Sequence, residues 1–343
     1  MKVYPFFIPH EGCPHLCRFC QQQSLSGHSK VPSPEEVAKE LSVLLPDRGD
    51  GEVAFYGGSF TLLEPALQVD YLQQVRPFIA KGQVSGVRVS TRPDAIGEDQ
   101  VALLRQEGVT TVELGCQSFS DKVLEASGRG HGSQAAGQAV ALLRSRSLQV
   151  GLQLMPGLPG AAPREALQSL RQALNLEPDF LRIYPTVVLR GTLLEDAFKQ
   201  GRYRPLALDE AVELCAEMLW HCREAGVPVI RLGLQSTAAL VPGGALVAGP
   251  YHPAFGALVR SRLWRQALAM VLPEKARAEL RVHPADLSDA LGQRRDNWNY
   301  FEKRDRRLTL RCDAGMTRDH FGIDGRTYAL QSAAAFPPIS TLF

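Results

Sequence analysis

Cys13, Cys17 and Cys20 lie in the run Glu11-Gly-Cys-Pro-His-Leu-Cys-Arg-Phe-Cys20, with C-x3-C-x2-C spacing. An apolar stretch from Val3 to Pro9 comes just before them and reads as a buried strand. A short loop at a strand's end can curl three thiolates around one centre. An iron–sulfur cluster normally takes four cysteine ligands, so three leave one iron open to another molecule. A structural zinc site is the competing reading. It needs four ligands, and with no second C-x-x-C the fourth would be His10 or His15. A disulfide framework is disfavoured, because seven cysteines is an odd number in a long chain with no signal peptide. Cys116, Cys215 and Cys222 read as core residues, and Cys312 carries no signal. None of these four has the spacing for a second cluster.

The elements that position this loop have to come from a chain of 343 residues, enough for one large domain or one large and one small. With 45% hydrophobic residues it can bury a sizeable core, and a net charge of +2 gives no global pull toward a polyanion. No apolar stretch reaches the roughly 18 residues of a membrane span. The expected compartment is a reducing cytoplasm, which suits thiolate-held clusters. The sequence carries no signal for oligomeric state.

Short β-rich runs alternate with longer helical patterns. The predicted strands are Val3–Pro9, Val53–Tyr56, Val87–Thr91, Thr111–Gly115, Val150–Met155, Phe180–Tyr184 and Val227–Leu232. Helical patterns fall at Ser33–Leu45, Glu64–Lys81, Glu98–Glu107, Gln134–Ser145, Pro163–Asn175 and Leu208–Ala225. Ser33-Pro-Glu-Glu is a helix start, with an N-cap serine, proline at the first position and acids in the first turn. Gly108 and Gly226 stand at helix stops. Strand–helix alternation implies a parallel sheet with helices outside, and a site at the C-terminal strand ends.

Those ends are rich in polar and glycine residues. After the cysteine loop come Gly57-Gly58-Ser59, then Ser90-Thr-Arg-Pro-Asp94, Gly115-Cys-Gln-Ser118, Gln153 with Met155-Pro-Gly-Leu-Pro-Gly160, and Tyr184-Pro-Thr186. Each has a plain reading. Gly57-Gly58 is an ordinary turn, Arg92 and Asp94 a local ion pair, Gln117 a partner for backbone groups, and Gly157–Gly160 a tight crossover. What weighs against the plain readings is convergence at one end of one barrel.

Together these features resemble the radical S-adenosylmethionine (SAM) superfamily. The cysteine spacing, with Phe19 before the third cysteine, is that superfamily's signature. The resemblance implies a [4Fe-4S] cluster on Cys13, Cys17 and Cys20, with SAM on the fourth iron, an external electron donor, and reductive cleavage of SAM to a 5′-deoxyadenosyl radical. It implies that Gly57, Gly58 and Ser59 approach the SAM amino group. Ser90, Gln117, Arg129 and Gln153 would contact the methionine and ribose parts, and Phe19 and Met155 would flank the adenine. No residue is assigned to the substrate chemistry itself. The predicted architecture is α/β, a partial (β/α)6 radical SAM barrel over residues 1–235, with a smaller C-terminal α+β extension over 236–343.

Within the superfamily, Val112–Ser118, Gly128-Arg-Gly-His131, Met155–Gly160, Ile183-Tyr-Pro-Thr186, Arg190-Gly-Thr192 and Gly201-Arg-Tyr203 are similar to the radical SAM core of Elongator protein 3, which modifies the wobble uridine of tRNA. The similarity spans roughly residues 1–205. Three features depart from that pattern: the short gap between the first two cysteines, Ser90 where relatives carry a glutamate, and an end at Phe343 that leaves no stretch for an acetyltransferase domain. Fold and cofactor are therefore expected to carry over better than substrate. In the C-terminal third, Leu258–Leu272 reads as a helix, and Arg294–Arg311 mixes bases with Trp298, Tyr300 and Phe301. Exposed rings with arginines would suit tRNA or another RNA; the alternative is a hairpin with the rings in the core. Tyr251-His-Pro-Ala-Phe255 reads as a substrate entrance or a packed turn. The leading expectation is tRNA or RNA nucleoside modification. The alternatives are a small-molecule radical SAM enzyme, like coproporphyrinogen oxidase, and a non-catalytic metal-binding adaptor.

Overall fold

The computed structural model describes residues 2–14, 16–22, 30–162, 164–240, 243–274 and 277–337. It divides into two compact units, Met1–Pro205 with Gln235–Gly249, and Leu206–Leu234 with Pro250–Phe343.

Six strands form the frame of the first unit: β1 (Val3–Phe7), β2 (Glu52–Tyr56), β3 (Gly86–Thr91), β4 (Val109–Gln117), β5 (Gln149–Leu154) and β6 (Phe180–Ile183). They lie side by side in chain order, every pair parallel, as the alternation requires. All of β2 is buried, and Val53, Phe55, Val87, Val89, Val112 and Val150 are fully inaccessible. Strands covered on both faces are what helix-flanked parallel sheets produce. This is the expected partial parallel barrel.

Helices connect the strands. Pro34–Leu44 starts at the expected box: Glu36 N–H donates to Ser33 Oγ (3.3 Å) and Ser33 N–H to Glu36 Oε2 (2.8 Å). Helices follow at Pro65–Ala80, Glu98–Gln106, Gln134–Ser145 and Glu165–Asn175. A further helix, Asp121–Ala126, had no periodic signal because it is under two turns long. The short strand β7 (Val188–Leu189) continues the first unit.

The helix Leu208–Glu224 and strand β8 (Val229–Leu232) belong to the second unit. The chain then returns to the first, where β9 (Leu246–Ala248) pairs antiparallel with β7. A boundary drawn at residue 235 takes no account of this return, which depends on a pairing between segments far apart in the chain.

The second unit is α+β, as expected. Its sheet consists of β10 (Arg277–Val282), β11 (Arg307–Cys312), β12 (His320–Ile323) and β13 (Arg326–Ala329), in the order β11-β10-β12-β13. The helix Phe255–Val271 buries Trp264 with Phe321 of β12, ring centroids 5.9 Å apart. The basic–aromatic segment differs from both sequence readings. Trp298 and Phe301 are buried on a short helix, Asp296–Glu302, not in a hairpin. The Tyr300 ring is covered by the guanidiniums of Arg304 at 3.7 Å and Arg265 at 4.8 Å. The rings are thus committed to core and cation–π packing, and no platform of exposed aromatics forms there.

Candidate functional site

The cysteine loop leaves β1 after Phe7 and is interleaved with the loop after β2. Ser59 N–H donates to Glu11 O (2.8 Å). Two glycines make this contact possible. A Cβ on Gly58 would lie 2.1 Å from Glu11 O, and one on Gly12 would lie 2.3 Å from Ser59 O. Gly12 also has φ +69°, a conformation glycine adopts freely. Cys13 Sγ lies 3.5 Å from Ser59 Oγ. Farther along, Arg18 N–H donates to Ser127 O (3.0 Å), and Leu194 N–H donates to Arg18 O (2.8 Å). Three distant segments thus hold the loop.

Arg129 binds the loop from the side. Left-handed Gly128 and Gly130 flank it, and it is 6% exposed. Its Nη1 donates to Cys17 Sγ (3.2 Å) and its Nη2 to Gly115 O (2.7 Å). Its Nε is buried and, among the described residues, has no hydrogen-bond partner. Gln117 takes φ +68°, rare for a side chain larger than glycine, where β4 shifts register against β5. Its Oε1 accepts from Gln153 Nε2 (3.0 Å), and its carbonyl accepts from Met155 N–H (2.8 Å). Phe19 packs with Val123, Leu158, Val188 and Leu194; Cys17, Cys20 and Met155 lie against this apolar wall. The Gly157 turn is fastened by Tyr203 Oη, which donates to Gly157 O (2.7 Å). Arg129 therefore meets Cys17, Gln117 meets Gln153, and Phe19 shares a wall with Met155. Ser90 is less engaged: its hydroxyl donates to Phe55 O at 3.4 Å.

Several plain readings hold for neighbouring groups. Arg92 and Asp94 form a two-armed ion pair (3.0 and 2.8 Å). Ser118 donates to Glu165 (2.5 Å), and Thr192 caps the helix Leu193–Lys199. Cys116, Cys215 and Cys222 are buried, and Cys312 is exposed. His10 exchanges bonds with Gln22, its Nε2 accepting from Gln22 N–H (3.1 Å). His15 lies outside the described residues.

The donor set suits a sheltered cluster. Among the described residues, no three His, Cys, Asp or Glu side chains converge on one ion. Burial and the neighbouring Cys17 and Cys13 push the Cys20 thiol up to about 12. Holding it as thiolate at neutral pH therefore needs positive charge, which Arg129 supplies in part and iron would complete. The apolar wall covers one side of the half-buried Cys17 and Cys20, and the buried Arg129 Nε offers a donor to a bound anion.

Sequence reasoning missed a buried ion lattice inside the barrel. Arg88 donates to Glu52 (2.8 and 2.5 Å) and to Glu113 (2.8 Å). Arg182 pairs with Glu113 at 2.9 Å, and its Nη2 donates to Tyr56 Oη (3.0 Å). Tyr56 donates in turn to Glu113 (3.1 Å), and burial with that carboxylate raises its phenol. The signal available was one charged residue inside each of several apolar strand runs. Tyr56 directly precedes Gly57-Gly58-Ser59, so the lattice fixes the end of β2 from which that loop departs. Elsewhere, within the second unit, a cavity of about 310 Å³ is lined by His252, Arg262, Arg265 and Arg294 among others and contains none of the cysteines. His252 Nδ1 accepts from Ala254 N–H (3.0 Å), so the Tyr-His-Pro run forms a turn, half-buried at His252 and exposed at Pro253, beside that cavity.

A partial parallel barrel with three cysteines after its first strand defines a class, and the comparisons agree. The profile of the Radical SAM superfamily matches residues 7–173, and that of the Radical_SAM C-terminal domain matches residues 178–265. The chain belongs to the radical SAM superfamily. It is 28% identical over 230 residues to a tRNA uridine(34) acetyltransferase of Dehalococcoides mccartyi, covering 56% of this chain and 50% of that one. It is 35% identical over 129 residues to the protein of the same name in Methanocaldococcus jannaschii, covering 37% of this chain and 24% of that one. It thus spans half or less of these relatives' length. An Elongator protein 3 structure from Methanocaldococcus infernus, with an N-terminal deletion, superposes with TM-score 0.60 at 22% identity, over 78% of this chain and 63% of that one. That match carries the fold.

Proposed function

We propose that this chain carries a 4Fe–4S cluster on Cys13, Cys17 and Cys20 and uses it, with SAM, to modify a nucleoside in tRNA or another RNA. The observation that carries the cofactor half is the cysteine loop docked on Ser59 and Arg129, with Arg129 Nε buried and unpartnered. The RNA half is supported by the kinship with tRNA-modifying proteins. When bound, the cluster supplies the electron that cleaves SAM to the 5′-deoxyadenosyl radical.

The chain's own residues do the positioning. Gly57 and Gly58 let backbone carbonyls approach an ammonium without a Cβ in the way. Arg129 neutralises thiolate charge through Nη1 and offers Nε to a carboxylate. The Gln117–Gln153 pair presents amide groups to ribose hydroxyls. Phe19 and Met155 give an apolar flank for a purine and exclude water. Ser90 contributes a hydroxyl where an acid would add charge.

Anaerobic purification with metal analysis, followed by SAM cleavage under dithionite, tests the cofactor half. Brown protein with about four irons that forms 5′-deoxyadenosine is expected. Colourless zinc protein would overturn it in favour of a metal-bound adaptor. Digesting tRNA from strains with and without the gene tests the other half. One nucleoside should differ; identical profiles, with a small metabolite copurifying, would point to a small-molecule substrate.

A further inference from the structure

The outer face of the four-stranded sheet carries charge that its own side chains leave unbalanced. Along β10, Arg277, Glu279 and Arg281 alternate with buried Ala278, Leu280 and Val282. Along β11, Arg307, Thr309 and Arg311 take the matching positions. The two strands are parallel and in register: Arg277 lies beside Arg307, Glu279 beside Thr309 and Arg281 beside Arg311. Neighbouring strands are about 4.8 Å apart, so two pairs of arginines leave the sheet from adjacent positions. Like charges at adjacent positions destabilise a sheet.

The counter-charges are weak. Glu279 approaches Arg311 only to 4.0 Å and Asp313 approaches Arg281 to 3.8 Å, at solvent-facing positions where ion pairs contribute little. Arg277 and Arg307 have no carboxylate within ion-pair reach among the described residues. Gly322 of β12 is the neighbour of Arg281, and a Cβ there would come within 3.0 Å of Arg281 Nε. The bare backbone lets that guanidinium lie across the sheet, and Thr327 of β13 continues the same row. Among the described residues of the four strands no Phe, Tyr or Trp stands on this face, which His320 of β12 shares with Gly322. The two arginine rows are four residues apart, or about 13 Å, which spans several phosphates of a nucleic-acid strand.

We propose that this face binds the phosphodiester backbone of the RNA substrate. The proposal rests on the RNA reading above and places the contact on the outer sheet face, away from the packed rings of Trp298, Tyr300 and Phe301. Arginine's planar fork matches phosphate oxygens in pairs. Without Phe, Tyr or Trp on it, the face holds backbone and reads no base. A bound polyanion would relieve the repulsion that the register builds in.

The test uses the full cluster-loaded chain and a fluorescein-labelled, unmodified tRNA transcript, with anisotropy read between roughly 50 and 200 mM salt. Arg277→Gln with Arg307→Gln is expected to weaken binding about tenfold and to reduce the log–log salt slope by about 2. The same variant should melt at or above the wild-type temperature, since it removes a like-charged pair. An Arg146→Gln control should leave affinity and slope unchanged. Arg281→Gln with Arg311→Gln reads the second row separately, in case the first variant folds poorly. If wild type binds tRNA and both double variants bind equally well, this surface is wrong while the RNA reading stands. If wild type binds neither tRNA nor an unrelated RNA transcript, both fall. Binding to phosphatidylserine vesicles without binding to tRNA would overturn the proposal in favour of a membrane surface.

Discussion

The barrel interior and the outer face of the four-stranded sheet use arginine in opposite ways. Inside, Arg88 and Arg182 are matched to Glu52 and Glu113 by bonds of 2.5 to 2.9 Å, with phenol and threonine hydroxyls filling the remaining positions. Outside, Arg277, Arg281, Arg307 and Arg311 stand in like-charged rows with carboxylates at 3.8 Å or beyond. Buried charge must be closed by the protein itself, because no solvent can do so. Exposed charge can stay open, because water screens it until something else replaces the water. The first arrangement is a scaffold; the second is a surface with spare valence for a ligand.

The largest effect should come from the site that the scaffold supports. Cys17→Ala is expected to remove the cluster and SAM cleavage together, checked by iron content and 5′-deoxyadenosine yield; retained cleavage would break the assignment. Next, Arg88→Ala leaves Glu52 and Glu113 buried with lost partners and should cost about 3–5 kcal/mol in denaturant unfolding. Arg277→Ala, on the open face, should change stability by less than about 0.5 kcal/mol. Similar costs for the two would erase the contrast drawn above. Arg129→Lys keeps the charge but not the fork over Cys17 and Gly115. SAM cleavage should fall on the order of 10- to 100-fold with the cluster still assembled, as seen when groups supporting metal ligands are lost.

The smallest effect concerns pH. His221 is buried, and burial holds its imidazole below the ordinary 6.5. The unfolded chain therefore binds a proton more readily than the folded one. Stability is full above pH 6.5 and falls as pH drops through the unfolded and then the folded value. His221→Gln should flatten that part of the melting-temperature profile; an unchanged slope would assign it to other groups.

Much of the candidate site was legible because its residues sit in short-range patterns. Three cysteines in one loop, a glycine pair after β2 and Gly-Arg-Gly around Arg129 are each complete within a few positions. The lattice was not, because Glu52, Arg88, Glu113 and Arg182 meet only through the register of five strands. The return of β9 to β7 had the same cause. The basic–aromatic run misled because a mixed composition cannot say which way each side chain turns. The periodicity that buries Trp298 and Phe301 on a short helix also leaves Tyr300 between two arginines. The arginine rows were hidden for the same reason as the lattice: Arg277 and Arg307 become neighbours only once β10 and β11 pair.

The grip on the cysteine loop also sets an order of events. Its contacts reach forward to Ser59, Ser127, Arg129 and Leu194. Closing such long loops costs entropy that is recovered only when the remote segment has found its place. The part of the site that emerges first from the ribosome is therefore finished last, after the barrel has closed around it. Pulsed hydrogen exchange during refolding should find the Arg18 and Leu194 amides protected late. Cluster insertion then becomes a step that follows folding, and iron supply acts on a nearly complete protein waiting for its metal.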